Sequence, residues 1–460
     1  MTAAAAPAVP AVRDLRRALR RTRRTHSNRT LGELLTDVYL VAFVAVLYGG
    51  AGAYSLRRHL ARPLPAPVGT EDERAWLLVA LLVVIAALAW RGLRLLGPVV
   101  STPAVQAWVL ASPVDRRAWL NTPLWWLVGL TGFGGAVVGA AAGWAGLSGQ
   151  FAFTALAGAG AGIGLAALAV LAQASGRVPG RFSRADIGLV AAVAVAGATL
   201  GGVRLAIPDV PPIALAVLAV VVAVVTVRAA RPALSRIDRS TLVGGAEVVG
   251  AASSAMVMLD PSLLSGVVAQ RRWRRMGRVH SARWLPGSPS WVLLQADLRR
   301  QWRRRSDLFV WAAMILVPYA TAVFAPPAVG SVRIVAGFIA VERLASGLRT
   351  VCRSPALRRA LGGTDASLRL IHLVVPAVGL AVWWSATVPA GAAPASYLVT
   401  TLLTAGLLGA VYRTATRKPM SYDGGLADSP FGLIPVNLLR QSLRGPDVVA
   451  LLVLIALFLH

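Results

Sequence analysis

Ser112-Pro113-Val114-Asp115-Arg116-Arg117 is the stretch whose residue types could do something specific. A proline break, then a carboxylate, then two guanidinium groups is a helix start carrying fixed charge. Fixed charge of this kind serves recognition of a complementary surface rather than bond making. Asp115, Arg116 and Arg117 could fill a groove on a cytoplasmic partner and transmit its closure. The plainer reading is that the two arginines only mark the side of a membrane on which the loop lies. The order of features returns in the second half of the chain. There Ser354-Pro355-Ala356 repeats Thr102-Pro103-Ala104, and Arg369 falls where Arg117 does.

Other chemistries lack their residues. The five histidines (His26, His59, His280, His372, His460) are scattered, and none pairs with a carboxylate or thiol at metal-ligand spacing, so no metal site is expected. Cys352 is the sole cysteine, which rules out an intrachain disulfide. Lys418 is the sole lysine and sits between Arg417 and Pro419, not behind a glycine loop, so a Walker-type nucleotide site is excluded. No hydrolase or transferase constellation is visible. The expectation is a non-enzyme with no catalytic residues and no cofactor. Carboxylates are nearly absent from the middles of the apolar runs, where ion-coupled transporters usually keep one. Glu342 lies at the end of such a run beside Arg343 and reads as half of an interfacial ion pair with it.

The elements that must position these residues are apolar and long. Of 460 residues 56% are hydrophobic, mean hydropathy is +0.65, and 14% are charged. Soluble domains carry about a quarter of their residues as charges. The expected fold is therefore all-α, a polytopic helical membrane protein of about 11 spans, between 10 and 12, in two weakly similar halves. The spans are placed at about 38–56, 76–96, 123–145, 151–173, 187–207, 213–227, 308–324, 329–341, 371–389, 395–412 and 446–460. Residues 1–36 form a basic cytoplasmic segment, 37–228 the first membrane half, 229–307 an Arg-rich connector and 308–460 the second half. Residues 1–12 are Ala/Pro-rich and expected to be disordered. The first apolar run is read as a retained span rather than a cleaved signal. Thr70 and Glu73 form a capping box before the second span. Pro430 to Leu443, broken by Pro435, is expected as an interfacial or re-entrant helix.

Gly135, Gly139 and Gly143 recur at four-residue spacing, as do Gly158 with Gly162 and Gly160 with Gly164. In lipid this spacing lets two helix backbones approach closely, and packing is the reading taken over a glycine-lined hinge or pore. Leu242–Leu259 is moderately apolar and is expected to be interfacial or folded against the other helices.

The net charge is +28, almost all of it arginine. Arginine clusters alternate with apolar runs, as the positive-inside rule requires. Trp273, Trp284, Trp291 and Trp302 interleave with arginines, a pattern that single-stranded nucleic-acid surfaces share. Beside a membrane span these are headgroup-level residues, so the expected partners are anionic membrane lipids and no nucleic acid. Counting loops alternately puts 41 of the 47 basic residues on one side. The N-terminus is then cytoplasmic and, with an odd number of spans, the C-terminus external.

Ala111-Ser112-Pro113-Val114-Asp115-Arg116-Arg117 resembles the leucine–serine–proline–basic signature after the second span of type-2 ATP-binding-cassette exporter permeases. The chain is similar in particular to the long, fused permeases of actinobacteria. The basic entry segments Arg13–Thr36 and Leu293–Asp307 add to the likeness. The resemblance implies a multi-pass permease subunit of the cell membrane, whose separate ATPase subunit docks on short cytoplasmic helices through Asp115, Arg116, Arg117 and, in the second copy, Arg369. That copy, Thr364-Asp365-Ala366-Ser367-Leu368-Arg369, lacks the proline and one arginine. A non-transporting membrane scaffold or regulator anchoring cytoplasmic partners is the alternative. Reporter fusions at Ala252 and after His460 test the topology: they should report opposite sides, and an external Ala252 would overturn the second-half assignment.

Overall fold

The computed structural model describes residues 12–26, 71–101, 103–112, 114–144, 150–176, 210–257, 267–268, 270, 285–390, 397–417, 426–429, 432–435, 441 and 443–458. A basic helix α1 (Val12–His26) is followed by α2 (Glu71–Leu96), the short α3 (Pro103–Trp108), α4 (Arg116–Ala142), α5 (Phe151–Ala174), α6 (Pro212–Ala233) and α7 (Arg239–Val257). The second half runs α8 (Pro289–Arg303), α9 (Arg305–Phe324), α10 (Val329–Leu344), α11 (Ser346–Arg353), α12 (Pro355–Leu361), α13 (Asp365–Thr387) and α14 (Tyr397–Ala415). A hairpin of β1 (Leu426–Ser429) and β2 (Gly432–Pro435) precedes α15 (Pro446–Phe458).

The protein is an all-α polytopic bundle. Among the described residues seven helices are long and apolar enough to cross a membrane: α2, α4, α5, α6, α9, α13 and α14. The expected spans 38–56 and 187–207 lie outside the described residues, as do residues 1–11 and Thr70. The remaining two are short. Helix α10 has 16 residues and α15 has 13. At 1.5 Å per residue neither reaches the ~30 Å of a hydrocarbon core by itself.

Three expectations change. The stretch expected as a helix at 430–443 instead contributes Gly432–Pro435 to an antiparallel pair with Leu426–Ser429. Pro435 has no N–H to give a helix, and Gly432 is a poor helix former, so a short paired strand loses less. The third span starts at Arg116 rather than Pro123, because Asp115 caps it: its carboxylate accepts from the Arg117 N–H at 2.9 Å. The sixth long helix, α13, likewise starts at Asp365, capped by Thr364 accepting from the Ser367 N–H at 3.2 Å. Between its two possibilities, Leu242–Leu259 takes the packed one. Helix α7 buries Leu242 and Val248 against the α2–α3 junction. That junction turns at Gly97, where φ is +79°, and the Gln173 amide pairs with both polar atoms of the Val99 peptide, at 3.0 and 3.1 Å.

The first half is organised on α5, flanked by α4 and α6. The α4–α5 contact is backbone on backbone. A Cβ added to Gly135 would overlap the Gly158 carbonyl, one on Gly139 the Thr154 carbonyl, and one on Gly162 the Thr131 carbonyl. Gly143 faces the Thr154 side chain, and Gly158 faces Gly135 and Gly139. On the far side of α5, a Cβ on Gly160 would stand 2.7 Å from the Ala219 carbonyl carbon of α6. The second half gathers α9, α13, α14 and α15 around α10, with Trp383 fully buried between Gly337 and Leu407. The halves meet where Leu77, Ala80, Val84 and Ala87 of α2 pack on Ala313 and Leu316 of α9.

Gly139→Leu should force α4 from α5 and lower thermal stability in detergent by the roughly 1–2 kcal/mol that such membrane contacts contribute. Gly134→Leu, at an exposed position where an added Cβ meets nothing within 4 Å, should leave the melting temperature unchanged. Equal effects at the two positions would show that close approach at Gly139 does not hold the helices.

Candidate functional site

Two features stand out on the polar end of the bundle. One is an exposed charged face at the start of α4. The other is a buried pair of ionisable groups at the start of α13.

The face is built by two local rules. Pro103 opens α3, where a missing N–H costs nothing. That six-residue helix ends at Trp108, whose side chain is 82% exposed. Ser112 closes the turn by donating to the Val109 carbonyl at 2.6 Å. Asp115 then caps α4, leaving Arg116 half-buried and Arg117 exposed, with no ion-pair partner for either among the described residues. The capped start holds both arginines on a fixed backbone.

Helix α1 is fastened beside this face. Its Arg16 donates to the Thr122 hydroxyl at 2.6 Å and to the Trp119 carbonyl at 2.6 Å, and lies over the Trp119 ring at 5.1 Å. The carbonyl has a reason to be available. Pro123 lies inside α4 four residues on and has no N–H to bond Trp119. Arg16 supplies the donor that the helix lacks.

The second half repeats the device with different chemistry. Pro376 lies inside α13, four residues after His372. The entry helix α8 lands on that residue: Asp297 Oδ2 lies 2.5 Å from His372 Nδ1, with both side chains almost wholly buried, at 4% and 3% exposure. His372 Nε2 is buried with no hydrogen-bond partner. Arg300 stands 3.5 Å from the other carboxylate oxygen. Gly347 of α11 covers Asp297 so closely that any Cβ there would overlap the carboxylate. One turn further along α8, the Gln301 amide donates to the Leu344 carbonyl at 2.6 Å and is 3.4 Å from the Ser346 hydroxyl.

Around this pair the charges are matched. Glu342 pairs with Arg349 rather than with its neighbour Arg343. Adjacent residues on a helix point about 100° apart, whereas α11 folds back across the turn at Ala345 and brings Arg349 alongside. Burial first, then the nearby Arg304 and Arg353, pushes the Arg349 guanidinium down to about 10. It stays charged at neutral pH. Asp307 pairs with Arg304 at 3.0 Å.

The positions expected as a docking set thus separate. Asp115, Arg116 and Arg117 form one group at the start of α4, with Asp115 and Arg117 exposed and Arg116 half-buried. Arg369 does not join an equivalent one: it is the fifth residue of α13, whereas Arg117 is the second of α4. Its guanidinium turns to Asp365 at 3.6 Å and to Tyr412, and Asp365 also holds Arg358 at 2.6 Å. The glycines Gly135, Gly139, Gly143, Gly158 and Gly162 line the α4–α5 contact, away from both features.

The Asp297–His372 pair is one that the sequence reading, which looked for histidines at metal-ligand spacing, did not find. Seventy-five residues separate the two, so no local spacing reveals them. The available signals were weak. Asp297 shares a helix face with Leu294 and Gln301, the face an amphipathic entry helix buries, and His372 is the one histidine inside an apolar run beside a proline. Among the described residues no group of three or more His, Cys, Asp or Glu could hold a metal ion.

Asp297→Ala leaves a buried imidazole nitrogen without its partner and should cost about 1–3 kcal/mol of stability. Chemical unfolding in detergent measures it. Asp297→Ala with His372→Ala should cost clearly less than the sum of the two single changes, and strict additivity would show that the pair is not coupled.

Residues 68–425 match the model of a family described as a family of unknown function (DUF6297), and the chain belongs to that family. No curated protein and no solved structure matches the chain.

Proposed function

We propose that this member of DUF6297 is the permease-like subunit of an ATP-driven exporter, itself without enzymatic activity, whose ATPase is a separate subunit docking at the α3–α4 corner. The observation that carries the reading is the Asp115-capped start of α4. It sets Arg116 and the exposed Arg117 on a capped backbone, across the α3–α4 turn from the 82%-exposed Trp108. Tryptophan and arginine are the residues that dominate interface energetics, and a docking helix must be rigid to pass on a partner's movement. Arg16 adds to that rigidity by tying α1 to the next turn of α4.

On this reading the protein lies in the cell membrane with its N-terminus, α3 and the connector between α6 and α9 in the cytoplasm, and its C-terminus outside. The basic face of α1 rests on anionic lipid, with Arg13, Arg17 and Arg21 exposed along it. The two halves are not equivalent in docking. The first offers guanidinium groups with no ion-pair partner among the described residues, while the second holds Arg358 and Arg369 on Asp365.

Charge reversal at Arg116 and Arg117 together should weaken co-purification with the ATPase by about 2–5 kcal/mol, the usual cost of disrupting a paired interfacial charge. Membrane insertion should be unaffected. Arg369→Glu should lower the stability of α13 and leave docking nearly unchanged. Full retention of the ATPase and of its stimulation in the double mutant would exclude this docking role. Recovery of cytoplasmic partners with no ATPase among them would favour the membrane scaffold.

A further inference from the structure

We propose that Arg333 is the base of a binding site for one phosphate-type oxyanion, at the end of the second half remote from its arginine clusters. The guanidinium is held in one pose. Its Nε donates to the Thr387 hydroxyl at 3.1 Å, its Nη2 donates to the Trp384 carbonyl at 3.0 Å, and it lies over the Trp384 ring at 4.0 Å. Thr387 is fully buried and Trp384 nearly so. The third nitrogen, Nη1, meets no acceptor among the described residues and is not enclosed. The ring that it covers carries a second donor without an acceptor, since Trp384 Nε1 is buried with no hydrogen-bond partner.

The charge of Arg333 is only partly answered. Trp384 and Thr387 lie in the last turn of α13, whose final carbonyls amount to about half a negative charge. Tyr319 takes another of those carbonyls, donating to Ala386 at 2.7 Å. The rest of the charge has no counter-ion. No Asp or Glu occurs between Asp307 and Glu342, or between Asp365 and Asp423. Asp307, Glu342, Asp365 and Asp447 stay at the other end of the helices, paired with Arg304, Arg349, Arg358 and Arg413. Tyr319 is the ionisable group that acts on Arg333, and no carboxylate among the described residues joins it. A cation fixed in a membrane helix is costly unless a partner completes it.

The level of the site names the partner. Asp365 opens α13 and Trp384 follows about 28 Å along its axis. That length is close to the ~30 Å of a hydrocarbon core, so with Asp365 at one headgroup level Arg333 stands at the other. The oxyanion abundant there is phosphate, and a planar guanidinium suits it. Two sources share that chemistry, a lipid headgroup and a soluble phosphate compound.

The test is fluorine NMR of the full chain in neutral maltoside detergent, with fluorotryptophan in place of tryptophan and the Trp384 signal assigned by its loss in Trp384→Phe. Inorganic phosphate and dihexanoyl phosphatidylglycerol are the probes. Dihexanoylglycerol and sodium chloride at equal ionic strength are the controls. The Trp384 signal should shift saturably with at least one probe and with neither control. A response to inorganic phosphate identifies a site that soluble phosphates can fill, and a response to the lipid alone identifies a headgroup site. Arg333→Gln should raise the midpoint by about tenfold or more, since a charge-assisted hydrogen bond is lost. Arg333→Lys keeps the charge and should raise it less. No saturable shift with either probe, an equal shift with the controls, or an unchanged midpoint in Arg333→Gln would overturn the site. Should Arg333→Gln fail to fold, the Arg333→Lys midpoint and the wild-type controls decide. No ATPase enters the measurement, so failure here leaves docking at Arg116 and Arg117 untouched, and loss of that docking leaves this site untouched.

Discussion

Lipid removes the usual reason for helices to pack. Apolar side chains gain little by leaving one hydrocarbon environment for another, so contact must come from close approach and from polar groups that lipid cannot satisfy. The α4–α5–α6 layer shows the first solution. Its contacts are backbone against backbone, with Gly135, Gly139 and Gly158 leaving no room for a single added carbon. The outer faces of the same helices carry Leu130, Phe133, Val137, Val217 and Val225, all exposed and suited to acyl chains. Small residues inward and large ones outward invert the arrangement of a soluble core, for the reason that the solvent is inverted.

The second solution appears where spans begin. Pro123 and Pro376 each remove a hydrogen bond within the early turns of a long helix. In each half a peripheral entry helix lands on the residue four positions earlier, Trp119 in one and His372 in the other. The first contact uses a surface guanidinium on a carbonyl and a ring. The second uses a buried carboxylate on a buried imidazole. The common geometry supports two related halves better than their letters do. The different chemistry gives the two contacts different surroundings: the arginine clamp lies near the surface, while the carboxylate and imidazole are almost wholly buried.

This asymmetry bears on function. On the reading proposed above, a partner would push where the structure is stiff. In the first half that place is the capped start of α4, whose two arginines have no ion-pair partner among the described residues. The second half holds Arg358 and Arg369 on Asp365 and carries instead the buried Asp297–His372 pair.

Much of the architecture was legible in the chain itself. Hydropathy located the long helices, because crossing a membrane demands an uninterrupted apolar run of fixed length. Glycine spacing marked the α4–α5 contact, because a helix places residues four apart on one face. Helix starts were misplaced at Pro123 and at 371, since a cap and an outside donor let helices begin before their prolines. Glu342 was given Arg343 as partner, although a chain reversal supplied Arg349. The Asp297–His372 pair was not legible at all. Local pattern carries what the backbone repeats every few residues, so spans, seams and caps can be read from sequence. Which buried carboxylate meets which imidazole depends on how α8, α11 and α13 pack, and only the tertiary structure decided that.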